Sequence, residues 1–284
     1  KKGNLPPLPV CSDLPVRRMA SLTSSSTAPV LVEVFYDIGS MYSYFACSVL
    51  HRYTSSPALW RGKVQVKLRP CLIGGIFKAT GNQMPAALPA RRVYVMKDTK
   101  RTAEYMRVPA KVPLNFPANT LKVMRLLTSI SMSCTPTQLE DATDALFRTY
   151  WVDNDDISEV HTLQRALIHK AHFSPAEAEA HCNAIDDPDV KKALRKATDE
   201  AVRRGAFGCP TFFVKRAHFP PDVRDWMARE GAVGEADEEM FFGADRINQM
   251  AFLLRLPWKG PGGTGVEPSS QREEPGIVEI HSRL

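Results

Sequence analysis

VLVEVFYDIGSMYSYFACSVL, residues 30–50, runs from a β-branched and aromatic stretch through a tight turn into an amphipathic helix. Val30 to Phe35 have the composition of a buried strand, and Gly39 permits a turn. Tyr42, Phe45, Ala46, Val49 and Leu50 then recur at i, i+3, i+4, i+7 and i+8, the spacing of one helix face. Ser40 therefore stands at the start of the helix. A hydroxyl there faces free backbone N–H groups and the positive end of the helix dipole, a setting that favours an anion such as a thiolate. The plainer role for the same serine is an N-cap worth about 1 kcal/mol to the helix. Both roles fit this stretch.

Outward from it, Val64, Val66 and Leu68 alternate with Gln65, Lys67 and Arg69 in a second strand ended by Pro70. Parallel strands this far apart need an intervening helix, and Ser40 to Tyr53 supplies one, giving a βαβ unit. Residues 84–204 then read as helices. Thr120 can cap LKVMRLLTSISM, Thr135-Pro136 and Ser174-Pro175 open two more helices, and Asp187-Pro188 opens the last. In that last helix Val190, Ala193, Leu194, Ala197 and Ala201 form an apolar stripe closed by Gly205. Strand patterns return at Thr211 to Val214 and Met240 to Gly243, followed by a helix from Ala244 to Leu256. This order predicts an α/β, thioredoxin-like fold with an all-helical domain inserted after the first βαβ unit. The thioredoxin-like part is expected at 30–83 and 205–257 and the insertion at 84–204. Residues 216–236, with one short helix in FPPDVRDWMARE, are read as a surface excursion at the end of the sheet away from Ser40. Residues 1–29 and 258–284 are expected to be disordered, the first as a possible targeting segment in which Met19-Ala20-Ser21 would serve as a natural start.

Of the 284 residues, 44% are hydrophobic and 24% charged, which suits a soluble globular chain with a full core. No apolar run approaches the ~20 residues of a membrane-spanning helix. The net charge of +6 comes from scattered lysines and arginines, which fits a small anionic ligand better than a nucleic acid. Cys11, Cys47, Cys71, Cys134, Cys182 and Cys209 form neither a C-x-x-C pair nor a zinc spacing. No metal is expected, the cysteines read mostly as small buried groups, and a reducing compartment suits them. Gly205 to Thr211, GAFGCPT, joins a helix to a strand, where a thioredoxin-like fold places a cis-proline; Cys209-Pro210 would then offer its backbone to a peptide-like ligand.

The motifs FYDIGSMYSYFA, LRPCLIGGIFKATGNQMP, FPANTLKVMRLL, WVDNDDIS, VRRGAFGCPTFFV, FFGADR and PWKGP, in this order over residues 30–261, resemble the kappa-class glutathione transferases and the related glutathione-dependent 2-hydroxychromene-2-carboxylate isomerases. The resemblance, within the DsbA-like thioredoxin superfamily, implies a homodimer with glutathione as cosubstrate. It places Ser40 where oxidoreductase relatives carry the first cysteine of C-x-x-C, so that here Ser40-Met41-Tyr42-Ser43 offers a hydroxyl to the glutathione sulfur. It further implies glutathione contacts at Met41, Tyr42, Asn82, Arg91, Cys209, Pro210, Ala244 and Asp245. Met41 stands where relatives usually have proline, Arg91 where they have lysine, and Ala244 where they have serine. Cys209 is read as a small buried residue, the alternative being a thiol that reacts with glutathione.

The expected function is conjugation of the glutathione thiolate to small electrophiles, a detoxification chemistry. The first alternative is 2-hydroxychromene-2-carboxylate isomerisation, in which the same thiolate adds and departs. The second is a non-catalytic glutathione- or peptide-binding redox chaperone module. Ser282-Arg283-Leu284 resembles a peroxisomal address, so peroxisome is the expected location, with mitochondrion second.

Overall fold

The computed structural model describes residues 28–229 and 237–264. The expectations for the N-terminal segment up to residue 27, for 230–236 and for the chain after 264, the terminal Ser282-Arg283-Leu284 included, lie outside these residues.

β1 (Val30–Tyr36), α1 (Met41–Ser55) and β2 (Val64–Pro70) form the βαβ unit, and the two strands pair in parallel from Val30 opposite Val64 to Tyr36 opposite Pro70. α2 (Ile73–Thr80) follows and ends on Gly81 at φ 72°, the left-handed conformation that glycine adopts without steric cost. α3 (Pro89–Met106), α4 (Leu121–Ser133), α5 (Pro136–Trp151), α6 (Val160–Lys170) and α7 (Pro175–Asn183) make the helical domain. Thr135 and Ser174 open helices as their sequence predicts, and each also closes a capping box with the residue three positions on. α8 (Pro188–Arg203) leads to β3 (Thr211–Lys215), α9 (Pro221–Arg229), β4 (Glu238–Phe242) and α10 (Ile247–Leu253). The sheet order is β2-β1-β3-β4, with β3 antiparallel to both of its neighbours.

Strand alternation divides the core. Val32, Val34, Phe212 and Val214 share a cluster with Phe45 and Val49 of α1 and with Ile247 and Met250 of α10. Phe35 and Phe213 point the other way and pack with Cys71, Ile76, Ala201 and Ala206. On that second face Glu33 binds Lys67, Arg69 and Arg204, while Arg69 and Arg204 both reach Glu200.

Two expectations are corrected here, and α8 bridges the expected division. α8, read from the sequence as the last helix of the insertion, packs on both parts: Ala201 joins the Phe35–Phe213 cluster and Thr198 Oγ1 accepts from Leu72 N at 3.0 Å, while Leu194 lies in the main cluster with α4. The excursion after β3 is not confined to the surface, because Phe219 and Met227 are buried in the main core. The tail expected from 258 begins as ordered chain. Trp258 stacks on Tyr53 at 4.8 Å, Trp60 Nε1 donates to Pro257 O at 2.8 Å, and Tyr53 Oη donates to Gly260 O at 2.5 Å. The Trp258 ring and the Pro257 and Gly260 carbonyls find partners in Tyr53 and Trp60, contacts that a Gly/Pro-rich composition does not reveal. Among the described residues no helix is long and apolar enough to cross a membrane.

Candidate functional site

The turn between β1 and α1 is built around Asp37, which is fully buried. Its Oδ1 accepts from Gly39 N at 2.8 Å, and its Oδ2 accepts from Ile73 N at 2.8 Å and Thr120 Oγ1 at 3.1 Å. One carboxylate thus ties the end of β1 to the starts of α2 and α4. Burial pushes its pKa up to about 6, against the pull of the bonds from Ile73, Gly39 and Thr120. Thr120 does not cap α4 with its side chain, as the sequence suggested; its hydroxyl goes to Asp37 instead. Gly39 is required by space, since a Cβ there would meet Thr120 Cγ2 at 2.8 Å.

Ser40 follows as the N-cap of α1, at φ −99° and ψ 110°. Its hydroxyl, on a residue only 8% exposed, accepts from Ser43 N at 3.2 Å and donates to Cys209 O at 3.0 Å. The capping role and a role at the ligand site are therefore held by the same oxygen. The amides of Met41 and Tyr42 have no partner among the described residues, as a helix's first turn must leave them. Met41 matters in this respect: a proline at that position would have no N–H to offer.

Cys209-Pro210 is a cis peptide, and Phe116-Pro117, which the sequence reading did not single out, is another. Cys209 N has no partner among the described residues, while Pro210 O accepts from Gly243 N at 3.0 Å and so places the segment before α10 beside the proline. Ala244 is buried in a short 3-10 turn, Ala244–Arg246, that precedes α10. Asp245 is ion-paired to Arg246 at 2.5 Å. Tyr42 Oη donates to Asp98 Oδ2 at 3.4 Å. Burial, then Asp98 and more weakly Asp245, raise its pKa to about 12.

Asn82 reaches the same neighbourhood, because its Nδ2 donates to Phe207 O at 2.7 Å, two residues before Cys209. Arg91 stands apart: it is exposed in the first turn of α3, and among the described residues no hydrogen bond or ion pair joins it to the Ser40 group. The Cys209 thiol is buried with its Sγ 3.5 Å from Cys71 Sγ; that contact, together with burial, raises its pKa well above the usual thiol range. This supports the reading of Cys209 as a small buried group. Asp37 and Cys71 are the residues that sequence reasoning missed. Asp37 had a signal, as a lone carboxylate inside an apolar stretch two residues before a glycine. Cys71 is 138 positions from its partner and had none.

The arrangement can bind a small anion at the α1 N-terminus and donate a hydroxyl hydrogen bond to it, with unpaired amides on both sides. It lacks the two cysteines of a C-x-x-C at Ser40 and Ser43.

Comparison with known proteins adds the following. The DSBA-like thioredoxin domain matches residues 31–255. The chain is 35% identical over 239 residues to glutathione S-transferase kappa 1 of Rattus norvegicus, covering 82% of this chain and 95% of that protein. It is 33% identical over 238 residues to the Homo sapiens protein of the same name, covering 82% and 94%. Among solved structures it resembles a 2-hydroxychromene-2-carboxylate isomerase with a TM-score of 0.58 at 17% identity, over 78% of this chain and 93% of that one, a likeness of fold.

Proposed function

The chain belongs to the DSBA-like thioredoxin family and, within it, to the kappa-class glutathione transferases, and on that premise we propose that Ser40 holds the glutathione sulfur as a thiolate for conjugation to small electrophiles. The observation that carries this is the buried Ser40 hydroxyl at the N-terminus of α1, 3.0 Å from Cys209 O, with the Met41, Tyr42 and Cys209 amides unpaired among the described residues. In the free protein the hydroxyl proton is spent on the Cys209 carbonyl. When glutathione binds, the proton turns to the sulfur, and the ligand's own backbone N–H takes its place at Cys209 O. A thiol of pKa ~8.5 then ionises near neutral pH, since a donated hydrogen bond and a helix N-terminus both favour the charged form. The thiolate attacks the electrophile, a carbon–sulfur bond forms, and the leaving group departs with the electron pair, or in conjugate addition the product carbon takes a proton from solvent.

Asp245 is the group suited to the γ-glutamyl ammonium, and the exposed Arg91 to a carboxylate reached from α3. Val93, Tyr94 and Tyr105 leave large side chains exposed along the same helix, which supports a homodimer. Transfer is favoured over isomerisation because the relatives at 33–35% identity are named transferases, whereas the isomerase likeness is of fold alone. A disulfide-exchange or chaperone role through the Ser40 motif lacks its two cysteines.

The test is to measure glutathione conjugation to an aryl halide, and turnover of a hydroxychromene carboxylate, with wild type and Ser40→Ala. A fall of ~10²-fold or more in kcat/KM for the aryl halide, about what loss of one oriented donor costs, supports the proposal. An unchanged rate removes Ser40 from the mechanism, and turnover of the hydroxychromene alone would assign the isomerase reaction.

A further inference from the structure

A second constellation of nucleophile, base and orienting group lies away from Ser40, in the helical domain. Cys134 Sγ is 3.3 Å from His181 Nε2, and His181 Nδ1 is 2.9 Å from Ser129 Oγ. Cys134 is the C-cap of α4 and immediately precedes Thr135, the N-cap of α5. The opposed dipoles of those two helix ends offset one another at the sulfur, so the imidazole is the group that acts on it. The ring is held from two further sides: Ser129 is buried in α4, and the Phe173 ring stands edge-on to it at 5.8 Å. Burial lowers the His181 pKa, and Glu177, one turn back on α7, pulls more weakly the other way. The imidazole is thus neutral near pH 7 and able to accept a proton.

Cys134 is partly exposed and lines a cleft of ≈ 410 Å³. The opposite wall is β2 from Gln65 to Pro70. Among the described residues β2 is the outer strand of the sheet, so the backbone groups of its outer side have no strand partner there and can receive a peptide-like chain. Met132, Leu139, Ala193 and Ala197 supply apolar lining.

We propose that Cys134, His181 and Ser129 form a thiol-exchange site for small peptidic disulfides, separate from Ser40. His181 Nδ1–H donates to Ser129 Oγ, which fixes the ring and leaves Nε2 as the acceptor. Nε2 takes the Cys134 thiol proton, and the Cys134 sulfur attacks one sulfur of the disulfide. That S–S bond breaks, the Cys134 Sγ–S bond forms, and the departing thiolate recovers the proton from the imidazolium. Protein thiol and disulfide become mixed disulfide and free thiol, with no outside oxidant. Ser129 is a positioning residue, and Cys134 and His181 are the reacting pair.

The other described cysteines are poor competitors: burial raises the thiols of Cys47 and Cys182, the latter to about 11, the Cys71 contact with burial raises Cys209, and Cys71 is itself fully buried. The experiment is to treat the whole protein with glutathione disulfide, follow the mass gain of one glutathionyl group, and locate it by peptide mapping. The expected result is labelling at Cys134, with the rate at pH 7 falling ~10-fold or more in His181→Asn, since an unassisted thiol is only a few per cent ionised there, and the gap closing towards pH 9. Ser129→Ala is expected to show a smaller loss with the same pH signature, which a merely structural role would not produce. Labelling mainly at another cysteine, or a His181→Asn rate at pH 7 equal to wild type, would overturn the proposal. Failure here leaves the Ser40 reading untouched, because none of these residues enters it.

Discussion

Replacing Asp37 by asparagine keeps the shape of the side chain and removes the charge, and its effect on stability must depend on pH in a definite direction. The carboxyl is fully buried and its pKa is raised from 3.8 to about 6, chiefly by burial. An acid whose folded pKa lies above its unfolded value favours folding in its protonated form. Its contribution is fully present below pH 3.8 and lost as pH rises through about 6. Two pKa units at about 1.4 kcal/mol each amount to about 3 kcal/mol. Asparagine has one acceptor oxygen and one donor group, so it cannot accept from both Gly39 N and Ile73 N. One amide is left unpaired, at a cost of about 1–3 kcal/mol that does not vary with pH. The stability of wild type minus that of Asp37→Asn, from urea unfolding at a series of pH values, should therefore fall by about 2–2.5 kcal/mol of that total between pH 4 and 7 and then stay flat. A difference constant across that window would refute the buried-carboxylate account of the Ser40 turn.

Met41→Pro tests whether the first-turn amides act on the bound sulfur. Proline fits that helical position but removes one N–H, and the thiol pKa of bound glutathione, read from thiolate absorbance, should rise by a few tenths of a unit, the scale of a helix-terminus interaction of about 0.3–1 kcal/mol. Ser43→Ala should stabilise the protein, because Ser43 Oγ is buried without a partner among the described residues. A gain of about 0.5–1.5 kcal/mol is expected from the lifted desolvation cost and the better helix propensity of alanine, measured by denaturant unfolding; a loss of stability would mean that the hydroxyl has a partner.

The elements that carry their own periodicity were legible in the sequence. Alternation in Val64–Leu68 and helical spacing after Ser40 gave β1, α1 and β2, and the Ser-Pro and Thr-Pro openings gave the capped helices α5 and α7. The role of α8 was not legible, because its apolar stripe shows that it packs but not against what. α3 buries only Thr99 and Met106, so it leaves little apolar period to read. Of the candidate site, Ser40, Cys209, Pro210 and Ala244 lie together, and among the described residues no bond joins Arg91 to them. Asp37 was hidden because its partners, Ile73 and Thr120, are 36 and 83 residues away. The Trp258 docking was masked by the Gly/Pro-rich composition around it.

The thiol pKa of glutathione bound to wild type and to Ser40→Ala, titrated by thiolate absorbance, bears most directly on the central claim. The hydroxyl donor at Cys209 O and the α1 N-terminus predict a bound thiol below the free value of ~8.5 in wild type, and a rise of ~1 unit or more when the donor is removed, since a hydrogen bond to a charged group is worth about 1.5–3 kcal/mol. Equal pKa values in the two proteins would contradict it, leaving Ser40 as the cap of α1 and nothing more.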